Sequence, residues 1–186
     1  MNLVLFGFKN SGKSFLAQKL ALKLSCPLIE TDLEIEKLSF LQTQTWRRCP
    51  EIFQLSGENH FRFLEKTVIE NLKPPVFSVI ALGGGAMRED TYPLLAKLGF
   101  LVYLKAPLSL ILKRQVQMPA FLNSFSDPQK ALQNLFQART AFFEQLGSFQ
   151  LEAALLEDPP YLEKTLTTLQ KRFQKHLHPP GTHARQ

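Results

Sequence analysis

The chain has 186 residues and a mass of 21.2 kDa, enough for one ordinary domain with a hydrophobic core. With 45% hydrophobic and 20% charged residues it is not a disordered chain, and no apolar run approaches the ~20 residues of a membrane span. Its net charge of +6, from 22 basic against 16 acidic side chains, invites a phosphorylated ligand, nucleic acid or an acidic membrane as partner. Cys26 and Cys49 lack a CxxC partner or nearby histidines, so a disulfide scaffold or zinc site is not expected, and free thiols suit a reducing cytoplasm. Met1–Phe6 carries neither a basic leader nor a small-residue cleavage site, so no secretory signal is expected.

Taken in order, residues 3–6 (LVLF) open the chain as a continuous apolar run, the pattern of a strand buried on both faces. A helical pattern follows at 14–24, then a weaker strand at 27–30, and helices at 33–40 and 57–72. Ser56-Gly57 ahead of Glu58 predicts the start of that last helix, and Pro74-Pro75 its end. Residues 76–82 and 100–104 read as further buried strands, 149–152 as a weaker one, with helices at 89–98, 108–115, 128–146 and 158–176. Ser126-Asp127-Pro128 predicts a capped helix start, and 116–127 predicts a mobile loop. Alternation of strand and helix predicts an α/β sandwich. One domain is expected over 1–177, with 178–186 a frayed tail. Residues 171–186 contain Lys171, Arg172, Lys175 and Arg185 and no acid, which leaves only +2 of the net charge for the rest of the chain. The basic character is therefore largely C-terminal, and neither nucleic acid nor membrane is expected as a partner.

Gly7-Phe8-Lys9-Asn10-Ser11-Gly12-Lys13-Ser14 matches G-x-x-x-x-G-K-[ST] between a buried strand and an amphipathic helix. Glycines let the backbone wrap so that N–H groups meet phosphate oxygens, and the helix N-terminus adds its positive end. Asn10, Ser11, Gly12, Lys13, Ser14 and Phe15 would hold the nucleotide; Lys13 would reach the β- and γ-phosphates and Ser14 would ligate Mg²⁺. The loop implies ATP or another triphosphate, and the lack of guanine-reading motifs favours a small-molecule kinase.

Glu30-Thr31-Asp32 closes the second strand, where acids can serve Mg²⁺ or an acceptor hydroxyl; Asp32 reads equally as the cap of a helix starting at Leu33. Glu58, Arg62 and Glu65 share one helix edge, either as a surface ion-pair ladder or as an arginine held ready for a ligand carboxylate. Gly83-Gly84-Gly85 follows the third strand, as a ligand-approach loop or a hinge. Arg139 falls inside the apolar stripe Leu132, Leu135, Phe136, Phe142, Phe143 and Leu146, and must snorkel or meet an anion. His60 reads as a surface residue.

These motifs, in this order, resemble the shikimate kinases: phosphate loop, strand-end acid pair, Gly57–Glu65 as GExxFRxxE, the triple glycine, a lid, and an arginine on a late helix. The resemblance covers about residues 1–176. It implies the nucleoside-monophosphate-kinase-like fold, a three-layer sandwich with a five-stranded parallel sheet flanked by helices. It also implies transfer of the ATP γ-phosphate to the 3-hydroxyl of shikimate, a step toward aromatic amino acids, in a cytoplasmic monomer. By resemblance, Asp32 bonds the acceptor hydroxyls and takes the proton; Arg62 and Arg139 clamp the carboxylate; Gly83 and Gly84 face the ring; Phe53 and Phe61 form an apolar wall; Glu65 orients Arg62. Three departures stand out. Glu30 replaces the usual Asp, so its metal contact is expected through water. Met118 stands where the family lid carries an arginine, a role open to Arg114 or a lysine. The segment around Thr43–Arg48 is longer than usual. Two alternatives follow, a kinase for gluconate or a nucleotide, and a binding protein without turnover.

Overall fold

The computed structural model describes residues 2–75, 77–115, 122, 125–146 and 149–177, the last five by backbone alone. Five strands form one parallel sheet: β1 (Asn2–Phe6), β2 (Leu28–Glu30), β3 (Val79–Ala81), β4 (Gly99–Lys105) and β5 (Phe149–Glu152), in the order β2-β3-β1-β4-β5. The helices are α1 (Lys13–Leu24), α2 (Thr31–Thr43), α3 (Cys49–Asn71), α4 (Tyr92–Leu98), α5 (Leu108–Lys113), α6 (Pro128–Gln145) and α7 (Pro159–Leu177). The expected lid (116–127) falls outside the described residues apart from Leu122 and 125–127, and the expected tail (178–186) lies wholly outside them.

The apolar run of β1 explains its central place. Leu3 and Leu5 face one side, packed with Leu16 and Leu20 of α1 and Leu169 of α7. Val4 and Phe6 face the other, with Ile69 of α3, Leu95 of α4 and Phe143 of α6. A strand covered on both faces cannot alternate apolar with polar residues, hence the unbroken run. Phenylalanine fills the second layer: the Phe6 ring stacks on Tyr103 at 5.3 Å and meets Phe143 edge-on at 5.4 Å.

Two local expectations are corrected. Helix α3 does not start at Gly57 but at Cys49, where the Arg48 N–H donates to the Glu51 carboxylate at 2.8 Å and Pro50 occupies the first turn. Gly57 sits inside it at φ 78° and ψ 170°, a backbone conformation open essentially to glycine alone, so it marks a kink between two helical segments. Helix α2 begins at Thr31 with Glu30 in the capping position, so Asp32 lies in the first turn and is not the cap. Asp127 does cap α6, accepting from the Lys130 N–H at 3.0 Å.

The longer segment before α3 is pinned from below. Buried Glu36 of α2 accepts from the Cys49 N–H at 3.0 Å and pairs with Arg48 at 3.3 Å. Trp46 leans on Phe40, ring centroids 5.9 Å apart, while remaining half-exposed.

Candidate active site

The carboxyl ends of β1, β2 and β3 lie side by side, and the loops leaving them build a cleft. At β1 the chain turns through Gly12, whose φ of 99° starts α1. Lys13 is buried there and its Nζ donates to the carbonyls of Gly7 at 3.0 Å and Phe8 at 2.8 Å. Burial brings its pKa down to about 8; nearby Asp32 opposes that shift and the Arg139 charge adds to it. A cavity of about 430 Å³ opens over this loop, lined by Lys9, Asn10, Gly12, Lys13, Ser14 and Phe15, with Asp32, Leu82, Gly84 and Arg114. Ser11 is fully buried, and its hydroxyl has no hydrogen-bond partner among the described residues. Arg114 is held against the loop, donating to the carbonyls of Ser11 at 3.1 Å and Asn10 at 3.4 Å and pairing with Glu157 at 2.8 Å.

At β2, Asp32 reaches the cleft while protein crowds most of its sides. This partial burial raises its carboxyl above the ordinary value; Lys13 pulls it down, Glu65 and Glu36 push it up, and Lys9 pulls it down. Glu30 ends the same strand, half-buried. The Gly83 N–H donates to Thr31 Oγ1 at 2.8 Å and ties the ends of β2 and β3 together.

The triple glycine is required by contact at each position. A Cβ on Gly83 would stand 2.2 Å from Asp32 Oδ1, one on Gly84 2.9 Å from the Lys9 nitrogen, and one on Gly85 2.6 Å from Arg62 Nη1 and 3.1 Å from Arg139 Nη2. Three consecutive residues thus seat the acid, the phosphate loop and the two arginines.

The arginines converge from different helices. Arg62 of α3 pairs with Glu65 at 3.0 Å and Glu58 at 3.4 Å. Arg139 of α6 donates to the Gly84 carbonyl at 3.1 Å and lies over the Phe8 ring at 5.7 Å. Burial lowers the Arg139 pKa to about 10, and repulsion from Arg62 adds to the fall. A second cavity of about 920 Å³ runs outward from Arg139 past Phe53, Glu58, Leu122, Phe125 and Lys130. Phe53 and Phe61 pack together at 5.5 Å beside it. Both guanidinium groups thus come close to Gly85, an arrangement that could accept a carboxylate.

A family model described as shikimate kinase matches residues 9–174. The chain belongs to the shikimate kinase family. It is 35% identical over 151 residues to a shikimate kinase of Clostridium botulinum, covering 77% of this chain and 83% of that one. With a shikimate kinase of Burkholderia thailandensis it shares 32% over 154 residues, 82% and 80% of the two chains. The crystal structure of the shikimate kinase from Bacteroides thetaiotaomicron superposes with a TM-score of 0.72 at 25% identity, over 94% of this chain and 98% of that one. Membership makes this chain an ATP-dependent kinase for shikimate and sets aside the gluconate and nucleotide alternatives.

Two residues that sequence reasoning missed belong to this shikimate kinase site. Arg88 also pairs with the buried Glu65, bonds Asp90 at 3.1 Å and donates to the Gly85 carbonyl at 3.1 Å. Thr31 is buried behind Asp32 as the acceptor for Gly83. Arg88 lies just past the triple glycine, and that proximity was the available signal. Nothing in the pattern around Thr31 marks it.

Proposed function

We propose that Asp32 receives the proton of the shikimate 3-hydroxyl while Lys13 steadies the phosphates of ATP, with Arg62 and Arg139 holding the shikimate carboxylate. The observation that carries this division is the triple glycine, which seats Asp32 and both arginines within three residues of each other. Shikimate carries one carboxylate and several hydroxyls, so an arginine pair at one end and an acid at the other match it. Asp32 with a raised pKa is a better proton acceptor than an ordinary carboxylate. Phosphoryl transfer demands chiefly positioning and neutralisation of charge, and Lys13 supplies both from the loop. Gly83 and Gly84 then line the floor under the ring.

Mg²⁺ fits the residues present. Ser14 and Glu30 offer hard oxygen donors, which suits an ion that keeps water and phosphate oxygens as its other ligands. The exposed Ser14 hydroxyl would hold it directly and Glu30 through water, and when bound it would neutralise phosphate charge. Asn10, Ser11, Gly12, Phe15 and Arg114 complete the nucleotide site, Ser11 through its backbone. The protein's two free thiols suit a reducing cytoplasm. Among the described residues no helix is long and apolar enough to cross a membrane.

The test is ADP release, coupled to pyruvate kinase and lactate dehydrogenase, with ATP, Mg²⁺ and shikimate. Turnover that needs shikimate is expected. Bound shikimate without turnover would leave a binding protein, and turnover with gluconate alone would overturn the assignment.

A further inference from the structure

Four charged residues line the nucleotide cavity, Lys9, Lys13, Asp32 and Arg114, and three already have work. Lys13 is anchored on two loop carbonyls, and Arg114 on two others and on Glu157. Lys9 is exposed to the cavity and forms no hydrogen bond or ion pair among the described residues. Its backbone lies close beside Gly84, where an added Cβ would stand 2.9 Å from the Lys9 nitrogen, as Asp32 lies close beside Gly83. The acid and the lysine therefore rise from adjacent seats on one loop, and the lysine charge is felt at Asp32.

We propose that Lys9 is a catalytic cation of this kinase, its ammonium contacting the phosphoryl group in flight between ATP and the acceptor oxygen. In that step the acceptor oxygen bonds to the γ-phosphorus, the bond from that phosphorus to the β–γ bridging oxygen breaks, and ADP leaves with the electron pair. The acceptor proton passes to Asp32. Negative charge spread over the equatorial oxygens calls for cations around the transferring group, and Lys13 and Arg114 are both tied to carbonyls of the loop. Lys9 lines the same cavity as Asp32 with its side chain unpaired among the described residues, free to point at those oxygens.

The inference rests on the shikimate kinase reading, and its test separates the two. Lys9→Met keeps the stem and removes the charge. It is expected to lower kcat about 10- to 100-fold with both KM values within about threefold, and Lys9→Arg to recover most of the loss. Exposure of the side chain predicts an unchanged melting temperature. A kcat within about twofold of wild type, or raised KM with unchanged kcat, would overturn the proposal. Affinity for ADP with aluminium fluoride and Mg²⁺, a mimic of the planar phosphoryl group, should fall about tenfold in Lys9→Met while affinity for ADP alone holds. Equal loss for both would also overturn it. If wild type shows no turnover of shikimate, the functional reading fails by itself, and the aluminium fluoride comparison still decides Lys9.

Discussion

Gly83→Ala separates positioning of the acid from everything else in the site. The new Cβ would stand 2.2 Å from Asp32 Oδ1 and 3.2 Å from its Cγ. An ordinary C···O contact is ~3.3 Å, so the carboxylate must retreat by about 1 Å. The displaced atoms are the end of a side chain facing a cleft, so folding should be little affected. Catalysis should suffer, because a misplacement of ~1 Å in a reacting group can cost about 100-fold in rate, or ~2.7 kcal/mol of barrier. Expected, then, is a kcat about 100-fold lower in the coupled ADP-release assay, with KM for shikimate and ATP near wild type. Gly85→Ala is the matched control, since its Cβ meets Arg62 Nη1 at 2.6 Å and Arg139 Nη2 at 3.1 Å and leaves Asp32 alone. It should raise KM for shikimate about tenfold with kcat far less changed. A Gly83→Ala enzyme whose kcat stays within about threefold of wild type would refute the reasoning that Asp32 must sit where Gly83 seats it.

Other predictions use the charges. Arg139→Ala should weaken shikimate binding about 10- to 100-fold, the worth of a charge-assisted hydrogen bond, while ADP affinity by calorimetry holds; equal loss of both would place Arg139 elsewhere. Arg88→Met should raise KM for shikimate about three- to tenfold, because buried Glu65 then has Arg62 alone to satisfy it and draws that guanidinium inward; a fall in kcat at constant KM would count against this. Lys13, near 8 in the free protein because of burial, should rise in pKa when phosphate arrives, so ADP binding at pH 8 should take up about half a proton. Calorimetry in two buffers of unlike ionisation enthalpy reads that uptake, which should vanish well below pH 8, where Lys13 is already charged; a buffer-independent enthalpy at pH 8 would refute it.

How much of this was legible before the structure depends on the kind of signal. Elements with one dominant period were readable: β1 is an unbroken apolar run because both its faces are covered, and α6 is framed by a capping Asp127 followed by Pro128. The helical segment 49–56 was not, because its start depends on Glu51 reaching back to the Arg48 N–H, a one-sided cap whose head residue has no side-chain acceptor to return the bond. Gly57 looked like a helix start for a sound local reason, since glycine interrupts helical patterns, but the interruption is a kink within one longer element. The positions of Lys13, Asp32, Arg62 and Arg139 could be named from motif and stripe, yet Asp32, Arg62 and Arg139 each had a bland alternative that periodicity could not remove. Adjacency bears on Arg139: among the described residues it forms no ion pair with an acid, but donates to the Gly84 carbonyl and lies near Arg62, while Arg62 itself keeps its ion pairs to Glu58 and Glu65.

That adjacency also explains why the triple glycine carries so much of the site. A strand-end loop with side chains would hold Asp32, Lys9 and the arginines apart by the width of a methyl group or more. Without them the backbone passes close beneath Asp32, Lys9 and the two guanidinium groups. Burial lowers the Arg139 pKa and the nearby Arg62 charge adds to the fall, while Glu65 and Glu58 oppose it, so an anionic ligand would relieve the part those acids leave. Under the proposed reading, a ligand lacking the carboxylate would leave Arg62 and Arg139 without the anion they are proposed to hold, and one lacking the hydroxyl would give Asp32 no proton to accept, so selectivity for a small hydroxy acid is expected.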